Sequence, residues 1–144
     1  MASYNKFQDY AEQLNKAVHN WSSHTYKAVF SNTAPSATNT MLADITPISN
    51  GGGYSGGAGG GVTLDSVALS ESSGTAKVTI ADEVFTASGA SVGPLRYVPI
   101  YNDSATSPAD ALVCWYDYGS SITLLDTETF TIDFDGTNGL WQLV

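Results

Sequence analysis

Short segments with a strand-like pattern fill most of this chain, and they restrict its fold more than any other feature of the sequence. The strictest alternation lies at residues 129–135, where Phe130, Ile132 and Phe134 share one face and threonine and aspartate residues share the other. Similar segments recur from residue 62 onward, separated by clusters of Gly, Ser and Asn. About seven to nine such strands predict a mainly β chain, an antiparallel β-sandwich or jelly-roll-like domain with an N-terminal α-helix.

The composition agrees with a single β-rich domain over residues 1–144. Hydrophobic residues make up 42% of the chain, enough for one core, since a domain of this size buries about 68–70% of its unfolded surface. Charged residues make up only 13%, against about 25% in an ordinary soluble domain. Long exposed helices need more Lys, Arg and Glu than this, whereas abundant Ser, Thr and Gly suit strands and turns.

Residues 1–23 carry the periodicity of one N-terminal helix, for which Ser3 has the chemistry of an N-cap. A lone helix of this length is marginal in water, so its apolar stripe has to pack on something. We favour the chain's own sheet, and a neighbouring subunit is the alternative. The stripe recurs at steps of three and four residues and includes Phe7, Leu14, Val18 and Trp21.

Residues 24–49 are expected to form the first strand and a connecting segment. The strand is predicted at residues 25–31, and residues 41–48 fit either a helical turn or a short edge strand. Residues 50–61 form a Gly-rich loop that holds eight of the fourteen glycines. The loop contains a GxGxxG pattern without the preceding strand and following helix of a dinucleotide site, so we predict a flexible loop or a tight-packing linker instead.

The main β-strands are expected within residues 62–144. Residues 94–101 are apolar on both faces, which predicts a strand that is central or packed under the helix, and Pro99 indicates a bulge or an edge within it. Residues 102–109 are predicted to be a polar loop. Two further strands are expected on either side of Gly119.

The net charge of −9 limits the partners that the chain can have. All five basic residues precede residue 97, and the rest of the sequence contains seven acidic residues and no basic residue. Phosphate backbones and anionic lipids need cations, so neither nucleic acid nor membrane is an expected partner. The excess acid serves either solubility or a positively charged partner surface. No signal peptide or spanning segment is visible, so synthesis in a reducing cytoplasm is expected.

No residue set in the sequence predicts catalysis, a cofactor or a metal. His19 and His24 lie near no recognisable nucleophile motif, and the single Cys114 sits in an apolar strand, where a buried role is usual. Residues 133–139 resemble the start of a calcium loop but lack the glycine and the final acid that the loop requires. We therefore predict a β-turn there and a chain that is not an enzyme.

Aromatic residues are densest around residues 115–118. Core packing, a protein interface and a sugar-stacking platform are all open interpretations of this group, with core packing favoured. The candidate partner-interface residues are Phe7, Leu14, Val18, Trp21, Tyr54, Trp115, Tyr116 and Tyr118.

Four stretches together resemble small structural proteins of tailed-bacteriophage virions. They are YNKFQDYAEQL with the following KAVHNW, NTAPSATNTMLADITPIS, GPLRYVPIYNDSAT and WYDYGSSITLLDTETFTIDFDGTNGL. The resemblance implies a head decoration (cement) protein, made in the host cytoplasm, that coats the outer capsid surface. Its partners would be the major capsid protein and itself, as a homodimer or homotrimer. A tail or fibre component, including a glycan-contacting receptor-binding module, is the alternative, and the resemblance carries over no catalytic or cofactor residue.

Overall fold

A computed structural model describes residues 2–144 of the chain. These residues form ten β-strands, one short α-helix and one 3-10 turn. In chain order the elements are β1 (Ser3–Lys6), α1 (Tyr10–Asn15), β2 (Tyr26–Ala28), the 3-10 turn (Leu42–Asp44), β3 (Val62–Thr63), β4 (Ala68–Ser72), β5 (Thr75–Thr79), β6 (Glu83–Thr86), β7 (Val92–Thr106), β8 (Ala109–Leu124), β9 (Thr129–Ile132) and β10 (Trp141–Leu143).

The strands form two layers of antiparallel sheet. The larger sheet has the order β1-β8-β7-β2-β3, so the long β7–β8 hairpin lies at its centre. A three-stranded sheet, β10-β5-β4, and a two-stranded sheet, β6-β9, form the second layer. The mainly β, antiparallel, sandwich-like fold with a helix near the N-terminus is therefore confirmed. Within residues 2–144, no helix has the length and apolar character needed to cross a membrane.

The central hairpin is buried on both of its faces. One face packs into a large core that includes Phe30, Val98 and Phe130. The opposite face is covered by the segment around the 3-10 turn, where Leu42 and Trp115 belong to a second, smaller core. This double burial explains why residues 94–101 are apolar on both faces, and it confirms their predicted central position.

Pro99 lies within a central strand, which is an unusual position for proline. It faces Trp115 across the hairpin, and β7 and β8 shift register on either side of this pair. The carbonyl oxygen of Pro99 accepts a hydrogen bond of 2.9 Å from Val29 N. Proline has no backbone N–H, so Pro99 takes part in the backbone pairing through this carbonyl group. Pro99 itself is paired in regular register, and the nearest irregularities lie between Leu95 and Tyr97 and between Ile100 and Tyr101, so the strand is irregular beside the proline and remains central.

Residues 102–109 were expected to be a polar loop, and this prediction is wrong. β7 runs to Thr106, and β8 begins again at Ala109. Asn102 is fully buried, and its side-chain amide donates to the carbonyl oxygen of Val18 at 3.1 Å. This hydrogen bond compensates for removing the polar group from water. A polar residue with a buried partner can therefore continue a strand that its polarity alone would end. The two strands expected on either side of Gly119 are likewise one continuous β8.

The N-terminal helix is much shorter than residues 1–23. The first segment is the edge strand β1, which pairs with β8, and Asp9, rather than Ser3, precedes the helix. The helix ends before Ala17, whose positive φ of 60° is incompatible with continuation. Phe7 and Trp21 are buried, as the apolar stripe predicted, but neither residue belongs to the helix. Pairing with β8 gives β1 partners from the rest of the fold, whereas an isolated helix of this length is marginal in water.

Trp21 joins the N-terminal segment to the larger sheet. Its indole stacks on Tyr26 with ring centroids 3.7 Å apart and an interplanar angle of 4°. The indole Nε1–H also donates to the hydroxyl of Tyr10 at 2.9 Å. The segment therefore docks on the chain's own sheet, the favoured alternative.

The Gly-rich loop is anchored to the larger sheet. Tyr54 is buried, and its ring stacks on Phe30 with centroids 4.9 Å apart. The backbone N–H of Phe30 donates to the Tyr54 hydroxyl at 2.8 Å, and the Tyr101 hydroxyl donates to the carbonyl of Gly60 at 2.7 Å. A Cβ at Gly61 would collide with the backbone of Ala28, so the glycine permits this close approach.

The Trp21 anchor gives a stability prediction. Replacing Trp21→Ala removes the stacked ring and leaves a cavity, so we expect the free energy of unfolding to fall by about 3–5 kcal/mol. Denaturant unfolding followed by circular dichroism measures the change. Leu125→Ala is the matched control, because Leu125 is 61% exposed and its truncation should cost less than about 0.5 kcal/mol. Equal losses in the two variants would contradict the assigned role of Trp21.

Candidate functional site

An open groove of about 880 Å³ lies between the larger sheet and the segment that runs from β9 to β10. Tyr4, Tyr116 and Tyr118 line it from the larger sheet. Three carboxylates line it from the opposite side, so the groove combines aromatic rings with negative charge. We call it the tyrosine groove, and its carboxylates belong to Asp82, Asp133 and Asp135.

Strand register brings the three tyrosines together. Tyr4 lies directly opposite Tyr116 in the β1–β8 pair, and Tyr118 follows two residues later on the same face of β8. The rings of Tyr4 and Tyr116 meet edge to face, with centroids 5.7 Å apart. Phe130 supports Tyr118 at 5.6 Å, and Phe134 supports Tyr116 at 5.9 Å. Packing therefore holds the rings in place, while Tyr4 and Tyr118 stay 41% and 48% exposed.

The three aspartates are held in different ways. Asp82 Oδ1 accepts a hydrogen bond of 2.8 Å from the backbone N–H of Phe134. Asp135 accepts hydrogen bonds from the backbone N–H groups of Thr137 and Asn138, and those from Asn138 are the largest cause of its lowered pKa. Asp133 is exposed, and its carboxylate accepts no hydrogen bond from residues 2–144. Asp133 is therefore the acid in the groove that is free to bind a partner.

The electrostatic character of the groove is negative. The pKa of Tyr116 is raised mainly by burial, then by Cys114, and then by the negative charges of Asp135 and Asp133. The phenol therefore stays neutral at physiological pH. Lys77 lies outside the groove, where it donates to the carbonyl of Thr137 at 2.8 Å and contributes to the lowered pKa of Asp135. No lysine or arginine lines the groove among the described residues.

The structure separates the candidate interface residues into two groups. Phe7, Trp21, Tyr54 and Trp115 are buried inside the chain and offer no free surface. Phe7 and Trp115, for example, pack against each other with centroids 4.6 Å apart. Leu14 and Val18 are half-buried, and Leu14 packs against the large core. Only Tyr116 and Tyr118 lie in the groove, so the aromatic group is divided between core and surface.

Sequence reasoning missed Tyr4 and the convergence of the three aspartates. Tyr4 was assigned to a helix, so its pairing with Tyr116 across more than a hundred residues was not visible. Asp133 carried a usable signal, because the alternation at residues 129–135 placed it outward, and the structure confirms that position. What the alternation could not show is that β9 faces the tyrosines.

The other reactive side chains do not form a comparable site. Cys114 is fully buried and unpaired, and its burial raises the pKa of the thiol. Within residues 2–144, no group of three His, Cys, Asp or Glu side chains is arranged to hold a metal ion. Comparison of the chain with protein-family models, curated proteins and solved structures gave no match.

A buried polar cluster joins the N-terminal segment to β7. The side-chain amide nitrogen of Asn102 lies 3.3 Å from His19 Nδ1 and 3.0 Å from His24 Nδ1. His19 is only 5% exposed, and its Nε2 has no hydrogen-bond partner among the described residues. Burial, with the charge of His24 second, lowers the pKa of His19 to about 4. The imidazole is therefore neutral in the folded chain at neutral pH.

This cluster predicts a loss of stability in mild acid. An unfolded chain protonates His19 near pH 6.5, whereas the folded chain does so only near pH 4. The unfolded state therefore binds more protons in this window, and stability falls as the pH drops through it, by on the order of 3 kcal/mol. Unfolding free energies measured between pH 7 and pH 4 should show this slope reduced in His19→Phe.

His24→Gln is the control for this titration. It should keep most of the slope, because burial is a larger cause of the shift than the charge of His24. A His19→Phe variant with the same pH dependence as the unmodified chain would show that His19 does not carry the effect.

Proposed function

We propose that the chain is a non-enzymatic structural protein of a tailed-bacteriophage virion, a decoration (cement) protein that binds the outside of the capsid and stabilises it. The observation that carries this proposal is the tyrosine groove. Exposed tyrosines on a packed sheet are typical of protein interfaces, where they supply large contact area at little cost in conformational entropy. The resemblance of four sequence stretches to such virion proteins supplies the context.

A second exposed surface supports self-association as a homodimer or homotrimer. Leu69 pairs with the buried Val78, and Leu143 pairs with Ala76, so these side chains share one face of the three-stranded sheet. Leu69 and Leu143 are 47% and 63% exposed, so the apolar face continues beyond the core. β4 is also an edge strand whose outer backbone groups pair with no other described strand. Such a surface is suited to a second copy related by closed symmetry.

The net charge of −9 supports a position on the exterior of the shell. Packaged DNA would repel so acidic a chain, whereas a basic patch on the major capsid protein would attract it. Many copies on one shell would convert a weak contact at each site into strong overall attachment.

A tail or fibre component is the second candidate function. The exposed ring of Tyr118 favours it, because aromatic faces beside carboxylates also suit stacking on a host glycan. The two functions differ in copy number and location within the particle.

The location of the chain in virions tests the proposal. We expect quantitative mass spectrometry of purified particles to find it in many copies, comparable with the major capsid protein. Emptied heads and isolated tails are to be measured separately, and the chain should follow the heads. Recovery with the tails, in few copies, would overturn the decoration function in favour of the fibre alternative.

The stabilising role predicts a measurable change in the shell. A ligand that binds only the mature shell stabilises it by mass action, so particles lacking the chain should release DNA at a lower temperature. Adding back the purified chain should restore the release temperature, and Tyr118→Ala should restore it less well than the exposed control Leu125→Ala. Equal restoration by the two variants would mean that the groove is not the attachment surface.

A further inference from the structure

We propose that the tyrosine groove binds an arginine or lysine side chain of a protein partner. The inference deepens the proposed function and rests on it, because it names the chemistry of the partner at one place on the surface.

The charges of the groove call for a cation. Asp82, Asp133 and Asp135 are its only lining residues with a formal charge, and no base among the described residues lines it. Backbone N–H groups orient Asp82 and Asp135 without cancelling their charge. Asp133 keeps its acceptor positions free within residues 2–144. A cationic side chain would therefore find one free carboxylate and two oriented ones.

The tyrosine rings supply the second half of a cation site. An arginine or lysine over the face of an aromatic ring is attracted by the ring quadrupole, and arginine also stacks on the ring. The exposed rings of Tyr4 and Tyr118 are fixed by their neighbours, so little conformational freedom is lost when a side chain lies on them.

The chain already holds one arginine in this way. The guanidinium of Arg96 lies 5.1 Å from the ring centroid of Tyr97. The same guanidinium donates to both carboxylate oxygens of Asp117, at 2.8 and 3.0 Å. Arg96 thus combines a tyrosine face with an aspartate on this same sheet. The groove offers these two partners with no arginine of its own.

Two other occupants fit the groove less well. A neutral sugar can donate its hydroxyl hydrogens to the carboxylates, but it brings no positive charge to balance the three aspartates of the lining. A second copy of the chain brings net charge of −9 against a negative groove. Three of its five bases are also already paired with carboxylates, namely Lys16, Lys27 and Arg96.

The test is a titration of the full-length, isotopically labelled protein with a blocked Gly-Arg-Gly-Arg-Gly peptide, followed by NMR. We expect saturable shifts in the backbone amides of β9 and of Tyr116 and Tyr118, weakened by added salt. Asp133→Asn and Tyr118→Leu should each weaken binding about 2- to 5-fold, the size of one exposed cation–π or charge contact. Tyr118→Leu keeps an apolar contact with Phe130, so its fold should persist, and the same spectra verify this.

Asp65→Asn is the matched control, because it removes the same charge from an exposed residue outside the groove. It should leave the affinity unchanged, and a Gly-Gln-Gly-Gln-Gly peptide should produce no saturable shift. An Asp65→Asn loss equal to that of Asp133→Asn would overturn the inference in favour of nonspecific charge attraction. Shifts caused by neutral oligosaccharides but not by the arginine peptide would replace it with glycan binding, and shifts that depend only on protein concentration would replace it with self-association.

The peptide titration contains no virion, so its result is separate from the particle measurements. Peptide binding by a chain that follows the tails would retain the cation site while overturning the decoration function. Absence of peptide binding by a chain that follows the heads would do the reverse.

Discussion

Antiparallel pairing of β7 with β8, buried on both faces, sets the positions of almost all other elements. Burial of each large side chain in this hairpin contributes about 1.5–3 kcal/mol, and Leu95, Ile100 and Leu112 are among those almost fully removed from water. The edge strand β1 takes its register from β8, and β2 takes its register from β7. A slip of one residue would turn Tyr116 into the opposite core and remove the groove. The site is therefore a product of the hairpin register.

The groove combines two kinds of support. Its tyrosines are held by ring packing within the larger sheet and against β9, whereas two of its aspartates are held by backbone N–H groups in the segments beside β9. Packing gives the rings rigidity, and backbone N–H groups hold Asp82 and Asp135 in position and lower the pKa of Asp135. Although the rings support one another within the lining, Tyr4 and Tyr118 keep 41% and 48% of their surface exposed and can contact a partner. A surface of this kind suits recognition better than a flexible loop would.

Local patterns predicted those parts of the fold that local forces decide. The alternation at residues 129–135 and the central position of residues 94–101 were both predictable, because side-chain burial follows directly from period and polarity. The helix over residues 1–23 was not, because Phe7 and Trp21 satisfy the same spacing from irregular backbone. Asn102 caused the opposite error, because its polarity predicted a loop where a buried strand is found. The carbonyl of Val18, which accepts its hydrogen bond, lies 84 residues away in the sequence. The groove depends on pairings of similar separation, so the exposure of Asp133 could be predicted, whereas its position near the tyrosines could not.

The anchored Gly-rich loop has a consequence for how such a segment varies. Glycine-rich stretches are usually treated as low-complexity spacers in which residues exchange freely. In this loop a Cβ at Gly60 would collide with the backbone of Ser55, and one at Gly61 would collide with that of Ala28. The close approach of the loop to its neighbours therefore requires glycine at these two positions, and the buried ring of Tyr54 holds the loop on the sheet. Gly60 and Gly61 are therefore restricted in size in the way that core positions are, unlike the glycines of a free linker.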